Sequence, residues 1–127
     1  MAYASFEQWE ILGPSSKAFS SFSQEKIEAF LEVASNLIDS YLANQYELPL
    51  TFPFDLSIVQ ACISIAVYNL LLSRGINPNN DNDQLYANDY ESKISWLTKL
   101  STGKISINNK SNSPNNLLGK PFIIYPS

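Results

Sequence analysis

Between residues 27 and 42 the apolar side chains recur with a period that an α-helix satisfies and a strand does not. Ile27, Phe30, Leu31, Ala34, Leu37, Ile38, Tyr41 and Leu42 fall at i, i+3, i+4, i+7, i+10, i+11, i+14 and i+15. That spacing draws one continuous stripe along a helix. Glu25, Glu28, Glu32 and Asp39 lie off the stripe. Ser20, Ser21 and Ser23 compete as its N-cap, and Glu25 in the first turn suits the helix dipole. The spacing predicts a helix from about Gln24 to Asn44.

Three further helices are predicted around this one. Ser5-Phe6-Glu7-Gln8 reads as a capping box, with Ser5 as N-cap and Gln8 at N3. It opens a short helix to about Leu12, which Gly13-Pro14 ends, and residues 15–21 form a loop. Asp55 caps a third helix, from about Leu56 to Arg74. Leu56, Val59, Ile63, Ala66, Val67 and Leu70 form one stripe on it, and Ile58, Ala61, Cys62, Ile65 and Leu72 spread apolar surface to further faces. A helix apolar over most of its circumference is a central one. Arg74 and Gly75 are stop chemistry, and Ile76 to Asp83 is a polar, turn-rich loop. A fourth helix follows from about Gln84 to Ser101, with Tyr86, Tyr90, Ile94, Leu97 and Leu100 on its inner face and Trp96 at the margin. Gly103 ends it, and the alternation of Lys104-Ile105-Ser106-Ile107 suggests a short strand. There is no internal repeat. The expected fold is mainly α: a small bundle of about four helices, a short C-terminal strand or hairpin, and an extended C-terminal arm.

The connections carry unusual apolar content. Tyr46-Glu47-Leu48-Pro49-Leu50-Thr51-Phe52-Pro53-Phe54 is too rich in large side chains to be a free linker. Leu48 and Leu50 are expected to pack against the helices or against an adjacent subunit. Residues 108–116 are polar, without helical period, and read as a tether. Residues 117–127 then return to apolar character in Pro121-Phe122-Ile123-Ile124-Tyr125, bracketed by Pro121 and Pro126, which limits it to edge-type pairing. The chain thus divides into a helical domain, 1–107, and a linker with an apolar docking arm, 108–127. The arm is read as working in trans, the alternative being a strand folded back on its own subunit. Leu48, Leu50, Trp96, Phe122, Ile123, Ile124 and Tyr125 are the candidate interface residues.

Catalytic constellations are missing from the pattern. A chain of 127 residues is one domain on the length prior. It has no His, which excludes a His base or ligand, and its single Cys62 cannot form an internal disulfide or a Cys-rich zinc site. Gly13, Gly75, Gly103 and Gly119 are isolated, so no phosphate loop is present. Glu25, Glu28 and Glu32 are spaced as a solvated helix side. Asp81, Asp83 and Asp89 lack the spacing, the central Gly and the terminal Glu of an EF-hand. The aromatics fall at core spacing, without the interleaved basic residues of a nucleic-acid face. The chain is expected not to be an enzyme and to need neither cofactor nor metal. No apolar run approaches the roughly 20 residues that cross a bilayer, and the N-terminus lacks the pattern of a signal peptide. A soluble protein made in the cytoplasm is expected, with no membrane partner.

Charge is sparse and unevenly placed. Charged residues are 16%, while Ser and Asn number 18 and 13, a wet surface of low charge that suits packing beside copies of itself and is equally an ordinary composition for some low-GC genomes. Residues 1–91 hold all 12 acids and only Lys17, Lys26 and Arg74, a net of −9. Residues 92–127 hold Lys93, Lys99, Lys104, Lys110 and Lys120 and no acid, a net of +5. The total of −4 argues against gripping nucleic acid by its phosphates.

One set of motifs goes further. Ile38-Asp39-Ser40-Tyr41-Leu42 followed by Tyr46-Glu47-Leu48-Pro49-Leu50 resembles the signature helix end and loop of the Mu-like prophage head-completion family. Ala61 to Leu70 resembles its third helix, and Tyr90 to Leu97 with Leu100 to Ile107 its closing helix and strand. Tyr3-Ala4-Ser5-Phe6-Glu7 is similar to its opening. The resemblance covers roughly residues 3–107 and leaves 108–127 outside the pattern. Gln45 stands where the family commonly has Arg. The resemblance implies a head–tail connector, or adaptor, of a tailed-phage virion. Such a protein forms a ring, typically of twelve subunits, between the portal protein and the tail or neck proteins, and DNA passes through its channel without specific binding. A heterologous ring contact needs two unlike complementary faces, and the −9 and +5 parts of the chain are such a pair. The alternatives are another virion ring component such as a tail terminator, and a small helical adaptor subunit of a cellular complex.

Overall fold

A computed structural model describes residues 2–14, 19–75 and 81–107. Four helices follow one another within them: α1 (Phe6–Leu12), α2 (Gln24–Leu42), α3 (Leu56–Arg74) and α4 (Asp81–Ser101). α2, α3 and α4 each pack on the other two, and α1 packs on α2 and α3.

The helix boundaries follow from local chemistry. Ser5 Oγ accepts the Gln8 N–H at 3.1 Å, and Gln8 Oε1 accepts the Ser5 N–H at 2.9 Å, so the capping box closes. Of the three competing serines before α2, Ser23 takes the cap, accepting the Lys26 N–H at 3.1 Å. α2 ends at Leu42, two residues before the expected Asn44, and its last carbonyl is satisfied by the Gln45 and Tyr46 N–H groups, both at 2.9 Å. α3 begins and ends where its caps predict. Asp55 Oδ1 accepts the Ser57 N–H at 2.9 Å, and the Gly75 N–H returns to the Leu71 carbonyl at 2.8 Å. Gly75 sits at φ +101°, a region that side-chain-bearing residues rarely adopt. α4 begins at Asp81, three residues earlier than the spacing suggests. Asp83, assigned to a loop from its polarity, lies inside the helix and is 3% exposed; Arg74 Nη2 approaches its carboxylate at 3.0 Å and ties the end of α3 to the start of α4.

α3 is the central element. Ile58, Val59, Ala61, Cys62, Ile63, Ile65, Ala66, Val67, Leu70 and Leu71 are all buried, against a stripe of Ile27, Leu31, Ala34, Ile38 and Leu42 from α2 and Leu97 and Leu100 from α4. By length and composition α3 is apolar enough to cross a membrane, which corrects the expectation that no run reaches that length. The reading by unbroken runs missed it because Ser57, Gln60, Ser64 and Asn69 punctuate the segment. Tyr86, Tyr90 and Ile94 of α4 are half-buried rather than fully inside, and the Tyr90 ring stacks on Tyr68 at 4.2 Å.

The expected C-terminal strand or hairpin is not formed: among the described residues there is no strand. A single alternating segment needs a partner edge, and among the described residues no extended neighbour is offered to Lys104–Ile107. Instead Ile105 and Ile107 lean on the core as irregular chain, and the Ile107 N–H donates to the Tyr46 hydroxyl at 3.0 Å. The linker and arm, 108–127, lie outside the described residues.

Candidate interaction surface

The connection from α2 to α3 is fastened by a residue far away in sequence. Tyr3 is buried, and its N–H donates to Ser35 Oγ on α2 at 2.8 Å. Its hydroxyl donates to Asp39 Oδ1 and accepts the Leu50 N–H at 3.2 Å. Burial first, and then the bond to Asp39, push the Tyr3 hydroxyl up to about 12. Ser35 in turn donates to the Leu31 carbonyl at 2.8 Å and lies 3.4 Å from Cys62 Sγ. Burial raises the Cys62 thiol to about 11, as expected for a small core residue. One side chain thus joins the N-terminal segment, α2 and the 46–54 loop.

The Tyr3 ring meets the Phe54 ring edge-on at 4.8 Å, and Phe54 meets Phe52 edge-on at 5.6 Å. Aromatic pairs of this geometry contribute about 0.5–1.5 kcal/mol beyond their area. The row runs outward: Tyr3 is buried, Phe54 half-buried and Phe52 70% exposed. Beside it lies a cleft of about 340 Å³ between the N-terminal segment, α2 and the loop. Phe6, Leu31, Phe52 and Phe54 give it apolar walls, and Glu28 and Glu32 place negative charge on its α2 side. The peptide bonds before Pro49 and Pro53 are both cis.

Of the candidate interface residues, Leu48, Leu50 and Trp96 fall within the described residues. Leu50 is 6% exposed and belongs to the core of its own subunit. Leu48 and Trp96 are half-buried and pack against that core from different elements. Phe122, Ile123, Ile124 and Tyr125 lie outside the described residues. Among the described residues the large exposed apolar side chains are Phe52, Leu56 and Val33, with Ile11 and Leu12 at the end of α1 and Leu72 and Leu85 beside the α3–α4 connection. Sequence reasoning named the loop and not Phe52, since periodicity has nothing to say about which side of a loop faces water. Trp9 and Phe19 were missed as core. They meet at 6.1 Å, and Phe19 also meets Tyr86 edge-on at 5.5 Å, closing one side of the bundle.

Charge is divided between elements. α2 carries Glu25, Glu28, Glu32 and Asp39 against Lys26 alone, with Glu7 and Glu10 on α1 and Glu47 in the loop. From residue 92 to 107, the last part of α4 and the chain after it, the charges are Lys93, Lys99 and Lys104. Among the described residues no group of three or more Cys, Asp or Glu side chains is placed to hold a metal ion.

Comparisons with known proteins agree with this chain's motifs. The family described as "Bacteriophage Mu, Gp36" matches residues 9–120. The match begins after the Tyr3–Glu7 stretch and runs through residues 108–120, part of the segment that the motifs had left outside the family pattern. The Mu-like prophage FluMu protein gp36 of Haemophilus influenzae is 40% identical over 88 residues, which are 68% of this chain and 56% of the relative. The chain therefore spans little more than half the length of that curated relative. No solved structure matches. With the family covering most of its length, the chain belongs to the bacteriophage Mu Gp36 family.

Proposed function

We propose that this phage protein is a structural component of the virion. In this reading it forms a ring between portal and tail, continues the DNA channel and presents a surface on which the tail docks. Family membership supports the phage origin. The observation that carries the finer reading is the division of charge over a small helical fold: acid on α1, α2, the loop and the first half of α4, lysine on the end of α4 and beyond. A ring contact is heterologous, so each subunit must offer two different surfaces that complement each other. The net charge of −4 also suits a conduit, because a basic lumen would hold the phosphates of passing DNA. The wholly helical described fold favours a connector over a tail terminator, which would carry more strand.

Immunogold labelling of intact particles tests the position. The expected result is label at the head–tail junction, and particles lacking the protein should have filled heads without tails. Label along the tail tube or over the capsid faces would overturn the reading.

A further inference from the structure

The cleft beside Phe52 has walls and a charge that call for a particular kind of occupant. Its walls are apolar through Phe6, Leu31, Phe52 and Phe54, and Glu28 and Glu32 make its α2 side negative. An occupant should therefore be a short apolar segment with a basic residue next to it. This chain contains such a segment: Lys120-Pro121-Phe122-Ile123-Ile124-Tyr125, with Lys110 further back and no acid anywhere in residues 92–127. We propose that the cleft receives the Phe122–Tyr125 segment of a second copy of this chain.

The chain leaves the described fold at Ile107, held by the Tyr46 hydroxyl at the far end of the same loop that supplies Phe52 and Phe54. The fourteen residues from 108 to 121 span at most about 50 Å, enough to reach a neighbouring subunit of this size. A cleft and an arm on one chain are two unlike, complementary surfaces, and joining them copy to copy gives the head-to-tail contact that a ring requires. The same contact made within one chain would use up both surfaces and link nothing. The assignment to a second copy rests on the ring reading above. The cleft is small, at about 340 Å³, so it takes two or three side chains and one junction is weak. Closing a ring links many junctions, and effective concentration then multiplies them.

The whole 127-residue chain tests this without dissecting the fold, because Phe52 and Glu28 are exposed and Phe122 and Ile124 lie outside the described residues. Self-association is followed by light scattering and sedimentation for the wild type, for a cleft variant (Phe52→Ala with Glu28→Lys) and for an arm variant (Phe122→Ser with Ile124→Ser). The expected result is that the wild type associates and that both variants do so at least tenfold more weakly. Mixing the two variants should restore one kind of junction, the arm of the cleft variant in the cleft of the arm variant, seen as a pair of chains. Variants that associate like the wild type would overturn the proposal while leaving a closed ring, if micrographs show one, to be explained by other contacts. A wild type that stays monomeric while both variants lose thermal stability would place the arm in its own cleft and overturn the second-copy assignment. Association that depends on cleft and arm but gives only open chains in micrographs would uphold the proposal and end the ring reading instead.

Discussion

Tyr3 and Asp39 are 36 residues apart in the chain and share a hydrogen bond, while Leu50, still further along, donates to the same hydroxyl. The Tyr3→Phe substitution keeps the ring and its contact with Phe54 but leaves the buried Leu50 N–H without that acceptor, at a cost of about 1–3 kcal/mol. Alkaline pH should act on the same group. The hydroxyl is raised from 10.0 to about 12 in the fold, so its contribution is complete below pH 10 and is lost as the pH rises through 12. The Cys62 thiol, raised from 9.0 to about 11, behaves in the same direction one unit lower. Urea midpoints are therefore expected to hold steady up to about pH 9 and to fall above it. In Tyr3→Phe the part of the fall above pH 10 should shrink, and an unchanged profile would show that Tyr3 does not carry it. Neighbouring stripe positions should also separate. Ile38 is fully buried, and Ile63 nearly so, while Leu37 is only half-buried. Ile38→Ala and Ile63→Ala are expected to cost about 2–5 kcal/mol and Leu37→Ala visibly less, read from the same urea midpoints.

At the scale of the element, the helix ends hold the most separable energies. Ser5 and Gln8 cap each other at the start of a helix of seven residues, too short to persist by propensity alone. Ser5→Ala should cost about 0.5–2 kcal/mol. Hydrogen exchange should show the loss locally, as faster exchange at the Gln8 and Trp9 amides while the α3 amides stay protected. At the other end of α3, Gly75 has open space where a Cβ would go, so Gly75→Ala meets no clash and is strained by its φ of +101° alone. The expected cost is about 1–3 kcal/mol by thermal melting. These ends were legible because a cap is a local device, fixed by two or three adjacent residues. The start of α4 was less so. Asp83 reads as loop chemistry in sequence, and its approach to Arg74, nine residues away, is a tertiary contact that local pattern does not show.

At the scale of the whole molecule, charge is sorted along the chain rather than balanced within each element. The ion pairs Arg74–Asp83 and Lys93–Asp89 are local, whereas the division of the acidic chain before residue 92 from the lysines beyond it is global. If that division joins subunits, assembly should weaken as salt rises from about 0.05 to 0.5 M, because exposed pairs are screened at that ionic strength. Sedimentation at a series of salt concentrations reads this directly. Assembly that is indifferent to salt would leave apolar contacts such as the exposed Phe52 as the driver.

Helix number, order and centrality were determined by the sequence alone. The 27–42 stripe, the all-round apolar 56–74 segment and their caps repeat one period often enough that no tertiary information was needed. Alternation at Lys104–Ile107 was too short to carry the same weight, since a strand exists only through a partner, and the fold provides Tyr46 as a hydrogen-bond acceptor instead. The burial of Leu50, the exposure of Phe52 and the central place of Tyr3 were likewise decided by tertiary structure. In a loop no period assigns a face, so the direction of each side chain depends on which distant group lies within hydrogen-bond or ring contact. Here that group was a tyrosine more than forty residues earlier, itself held by Ser35 and Asp39 of α2.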